Sequence, residues 1–161
     1  MSTASYEILD EWFLRMGVTS VAERARVMLV TPVTFRAWAS SGQVPSYVPL
    51  FCVGYNALKK QGDDVAVSLL RGELLPVEQV HELMAVLGIR SQNELAHTLR
   101  MTKQAVSKWF VNKRFPKWLG VTLYGLLISR GKVTDGGNPA PASNFFLKNI
   151  EKVATVASQA P

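Results

Sequence analysis

Apolar residues recur along most of this chain at intervals of three and four, the spacing of a buried helical stripe. Val80, Leu83, Met84 and Leu87 form one such stripe, and Gly88 behind it suits a helix C-terminus. Ser91-Gln-Asn-Glu94 then reads as a capping box opening a second helix, with Leu95, Ala96 and Leu99 facing inward. After a break at Arg100-Met101, Thr102 is placed to cap a third helix whose apolar side carries Val106, Trp109 and Phe110. Pro116 is expected to start a fourth, which carries Leu119, Leu123 and Leu126 or Leu127.

The same pattern occurs earlier. A shift of 71 residues aligns 10–60 with 81–131 without a gap. The identities fall on cap, turn and core positions: Glu11/Glu82, Gly17/Gly88, Ser20/Ser91, Glu23/Glu94, Ala25/Ala96, Thr31/Thr102, Trp38/Trp109, Pro45/Pro116 and Gly54/Gly125. The earlier copy has its own box at Ser20-Val-Ala-Glu23, and Thr31-Pro32 opens its third helix. The expectation is an all-α protein with two tandem small helix-turn-helix domains, at 1–62 and 77–132. Between them, at 63–76, Asp63 and Asp64 are expected to cap a short helix over Val65–Leu70 that Gly72 ends.

The remainder, 133–161, changes composition. Glycine and proline make Asp135–Ser143 a linker, and Phe146, Ile150, Val153 and Ala157 then recur at helical spacing. So short an amphipathic helix is not stable alone. It is expected to dock on the chain's own core, on a second subunit or on another protein. A homodimer would form through 143–158 or through the first domain.

Charge divides the two halves. Residues 1–70 hold six Lys/Arg and six Asp/Glu, whereas 71–161 hold twelve and six, so the whole excess of +6 lies in the second half. No acid occurs between Glu94 and Asp135. A basic stretch of this kind suits nucleic acid, as it would suit a merely solvated surface. On the free side of the second copy's third helix stand Lys103, Gln104, Ser107 and Lys108, with Thr102 at its start. Amides, hydroxyls and ammoniums are the groups that hydrogen-bond base edges in a major groove. Gln92 opens the second helix, where side chain and backbone amides together can hold a phosphate. Asn112, Lys113, Arg114 and Lys117 follow the third helix and suit backbone phosphates.

The run from Ser91 to Trp109, followed by Phe115-Pro116, resembles the lambda-repressor-like helix-turn-helix family, phage repressor type. Its Ser-Gln…Leu-Ala…Gln-Ala-Val-Ser-x-Trp pattern carries the likeness. The likeness extends over residues 81–128 and, more weakly, over 10–57. The resemblance implies a DNA-binding fold of about five helices, usually a dimer on inverted repeats, with Gln92 as phosphate clamp and Lys103, Gln104, Ser107 and Lys108 reading bases. The family commonly has glycine in the turn, where this chain has Arg100 and, in the first copy, Leu29. A left-handed non-glycine residue there costs about 1 kcal/mol. In the first copy Val21, Pro32, Val33 and Ala37 replace Gln92, Lys103, Gln104 and Lys108. Thr31, Thr34, Arg36, Ser40 and Gln43 keep polar reach there, which leaves that copy as a DNA contact or as a packing or partner-binding unit.

Other chemistry is sparse. Cys52 has no disulfide partner, the histidines are His81 and His97, and no metal set, cofactor motif, phosphate loop or catalytic pair is present, so an enzyme is the least expected class. Trp38, Trp109, Tyr47 and Trp118 sit at repeated helix positions, where packing explains them. Neither an apolar run of membrane length nor a secretory signal is seen, and the reading is a cytoplasmic protein. Together these features anticipate a transcriptional regulator bound to double-stranded DNA, a repressor of phage or mobile-element type. The rivals are an antirepressor-like interaction protein and an architectural or excision accessory factor.

Overall fold

Ser, Thr and Asp side chains start six of the helices in the computed structural model, which describes residues 3–131 apart from 74. The order is β1 (Thr3–Ser5), α1 (Tyr6–Met16), α2 (Val21–Met28), α3 (Pro32–Ser41), β2 (Gln43–Pro45), α4 (Val48–Gln61), α5 (Asp64–Leu70), α6 (Val77–Val86), α7 (Gln92–Leu99), α8 (Lys103–Asn112) and α9 (Leu119–Ser129). The fold is all-α save for one ribbon, in which β1 and β2 pair antiparallel with Ala4 opposite Val44. Sequence periodicity did not anticipate this ribbon, because three residues are too few to show alternation. Val44, only 2% exposed, anchors it to the core.

Helices α2, α3 and α4 begin 71 residues before α7, α8 and α9. The ends of α2 and α3 correspond to those of α7 and α8 as well, whereas α4 runs three residues further than α9 does. Leu29 and Arg100 close α2 and α7 with φ of 59° and 54°, in the left-handed region that glycine usually fills. The backbone supports the strain: Val30 N–H donates to Ala25 O at 3.1 Å, and Met101 N–H to Ala96 O at 2.8 Å. Val30 and Met101 also pack against the core, the apolar contact that accompanies such a cap. One boundary differs from expectation. Pro116 forms a turn, its carbonyl accepting Leu119 N–H at 3.1 Å, and α9 starts three residues later than proline placement suggested.

The core runs through both halves of the chain. Every residue of α9 from Leu119 to Leu127 is buried, so it is a central helix with no solvent stripe. Its most extensive contact is with α4. The expected short helix after Asp63 forms as α5, with Asp63 Oδ1 accepting Ala66 N–H at 2.9 Å. The expected C-terminal linker and amphipathic helix at 133–161 lie outside the described residues. Among those described, no helix is long and apolar enough to cross a membrane.

Candidate nucleic-acid interface

Helices α7 and α8 pack against each other, and the small Ala96 on the first and Val106 on the second are both buried. Ser91 Oγ accepts Glu94 N–H at 3.1 Å, and Glu94 Oε2 reaches back to Arg90 N–H at 2.7 Å. The box therefore closes on the residue before the cap, one position earlier than in the standard motif. This fixes Gln92 as the first residue of α7, half-buried beside the start of α8.

Gln92, Lys103, Gln104, Ser107 and Lys108 line a single open concavity of about 560 Å³, together with Asn93 and Val111. Five residues singled out from sequence thus meet in one place. Asn93 and Val111 were not anticipated; Asn93 follows Gln92 directly, and Val111, 76% exposed, continues the Lys103–Gln104–Ser107–Lys108 face by one turn. No carboxylate lines the groove. Among the described residues the ion pairs Arg15–Glu11 and Arg24–Asp10 both precede α3, and no described carboxylate pairs with Lys103, Lys108, Lys113 or Arg114.

The remaining candidates divide by position. Thr102 Oγ1 accepts Ala105 N–H at 3.2 Å, so its hydroxyl serves the cap of α8. Asn112, Lys113 and Arg114 are exposed at the far end of α8, where Lys113 takes φ 52° and turns the chain. Lys117 is exposed as well, and its β-carbon lies beside Gly72, outside the groove lining. In the first half, Thr31 caps α3 and bonds Thr34 Oγ1 at 3.0 Å, while Arg36 is exposed at the position corresponding to Ser107. Gln43 is not part of α3; it stands in β2, opposite Ser5.

The aromatic residues are engaged with one another. Tyr47 and Trp118 stack at 3.7 Å with their planes 5° apart, and Trp109 meets Trp118 edge-on at 5.7 Å. Among the described residues two polar side chains, Arg24 and Thr122, are buried without having been anticipated, and Thr122 Oγ1 donates to Trp118 O at 2.9 Å. Arg24, 6% exposed, donates to Asp10 Oδ1 at 2.6 Å, Val18 O at 3.0 Å and Tyr6 Oη at 3.3 Å. Among the described residues, no group of three His, Cys, Asp or Glu side chains is placed to hold a metal ion. The chain matches no protein-family model, no curated protein and no solved structure.

Proposed function

We propose that this protein is a sequence-specific DNA-binding regulator built from two helix-turn-helix units, with α8 reading bases in a major groove. One observation carries the reading: Gln92, Lys103, Gln104, Ser107 and Lys108 converge on one exposed groove with no acid in its lining. Lysine and glutamine present donors and acceptors that match purine edges, and the amide ends of α7 beside Gln92 suit a phosphate. Lys113 and Arg114 extend the cationic surface along the DNA backbone. Occupying a promoter in this way blocks polymerase, which makes repression the expected outcome, as in phage and other mobile elements.

Selection from random duplex DNA by the purified protein tests this directly. Enrichment of a defined motif, with affinity that falls steeply as salt rises, supports the reading. DNA held at low salt with no motif enriched would mean a backbone grip alone. The helix-turn-helix scaffold would then serve protein partners.

A further inference from the structure

We infer that a single chain spans two successive half-sites of an asymmetric duplex, α8 in one major groove and α3 in the next, with no second copy required. The inference rests on the DNA-binding reading and deepens it by naming the kind of site.

The contact between α4 and α9 is reciprocal. A β-carbon on Gly54 would meet Val121 O at 2.1 Å, and one on Gly125 would meet Leu50 O at 1.9 Å. Gly125 and Val121 are each 71 positions beyond Gly54 and Leu50. Each helix therefore offers its partner the same surface it receives, which is the signature of an isologous, two-fold contact. In other proteins such a contact joins two subunits; here it lies within one chain.

The direction of the axis places the reading helices. Tyr47 and Trp118, the corresponding residues that precede α4 and α9, stack face to face, while Gly54 and Gly125 meet at mid-helix. Corresponding points meet at two heights, so the two helices run in the same sense, and the pseudo-two-fold axis passes between them along the bisector of their directions. Helices α3 and α8 end shortly before α4 and α9 begin. Both therefore connect to α4 and α9 at the same end of the axis, which allows their outward faces to meet one duplex together. B-DNA has local two-fold axes of its own, and equivalent major-groove positions on one side recur every helical turn.

The two outward faces differ in chemistry. Where α8 carries Lys103, Gln104 and Lys108, α3 carries Pro32, Val33 and Ala37, with Val33 72% exposed. Such a face suits thymine methyl groups, and Arg36 beside it suits guanine or a phosphate. The site therefore consists of two unlike halves.

The test uses the full chain. Random 30-bp duplexes are selected, the enriched duplex is footprinted, and the number of chains bound is measured by sedimentation. The selection is repeated with Val33→Ser/Arg36→Ala, whose positions are exposed, after a thermal melt has shown it folded. The expected result is one chain per duplex and two protected segments of different sequence, about 10 bp apart. The variant should lose the second segment's sequence preference and bind about tenfold or more weakly. A single protected half-site indifferent to the α3 variant, or two chains on an inverted repeat, would overturn the inference while leaving DNA reading by α8 intact. Enrichment of no duplex at all would defeat the underlying DNA-binding reading, and the inference with it.

Discussion

Gly54 and Gly125 face each other where α4 crosses α9, so closely that the position of a β-carbon on Gly125 is 1.9 Å from the backbone oxygen of Leu50. Only residues without a side chain permit this approach, because the obstacle is main chain and cannot rotate away. The helices at the centre of the fold are joined through backbone, and the two halves share one core.

Gly125→Ala should therefore destabilise the protein by about 3 kcal/mol, the upper part of the range for overpacking. Urea unfolding measures it. Gly17→Ala is the control: nothing lies within 4 Å of its β-carbon position, and only the left-handed φ of 75° opposes the change. Its cost should be about 1 kcal/mol. Equal costs for the two variants would show that the α4–α9 approach is looser than described.

Arg24 occupies a core position whose counterpart, 71 residues later, is Leu95. Arg24→Ala should cost about 2 kcal/mol, since it removes three hydrogen bonds and opens a void; Asp10, half-exposed, remains solvated. Arg24→Leu fills the space as the second half does and should cost less. The two melting temperatures, measured side by side, check the order. A leucine variant less stable than the alanine one would contradict it.

Stability should fall in alkali. Burial pushes the Cys52 thiol up to about 12 and the Tyr124 phenol likewise to about 12, with the charge of Asp63 adding to the latter; Tyr47 is raised by burial as well. These groups stay protonated when folded and ionise more readily when unfolded. Their stabilising contribution is whole below the unfolded values near 9–10 and is lost as the pH climbs toward 12. Urea midpoints at pH 7, 9 and 10.5 should decline in that order. At pH 8 the native thiol should react with a disulfide reagent far more slowly than in denaturant.

Lys113→Ala and Arg114→Ala should weaken DNA binding across all sequences, each reducing the slope of log affinity against log salt by about one. Gln104→Ala should instead cost about 1–3 kcal/mol at one base position and leave that slope nearly unchanged. A salt titration of each variant separates the two behaviours. An unchanged slope for Lys113→Ala would remove that residue from the phosphate contacts.

Much of the architecture was legible because it is local. Ser20, Ser91, Thr31, Thr102 and Asp63 cap helices through bonds to amides three residues away, and such bonds leave a short-range mark in sequence. The groove was legible for the same reason, since Lys103, Gln104, Ser107 and Lys108 share one helix face and Gln92 is fixed by a cap. What escaped is long-range or too brief to show a period. The β1–β2 ribbon pairs residues about forty positions apart over three rungs. Helix α9 is buried all round and so offers no stripe to orient it. The glycine match at 54 and 125 was visible as an identity, but its meaning lay in a contact between distant segments. The burial of Arg24 left no local mark, because its partners Asp10, Val18 and Tyr6 come from the preceding helix and turn.

The most direct test of base reading by α8 is a comparison of the motif selected from random duplexes by the wild-type chain and by Lys103→Ala/Gln104→Ala. Both positions are exposed, so the variant should melt as the wild type does. The expected result is a defined motif for the wild type and loss of its α8 half in the variant. An unchanged motif in the variant would contradict the assignment of α8 as the reading helix.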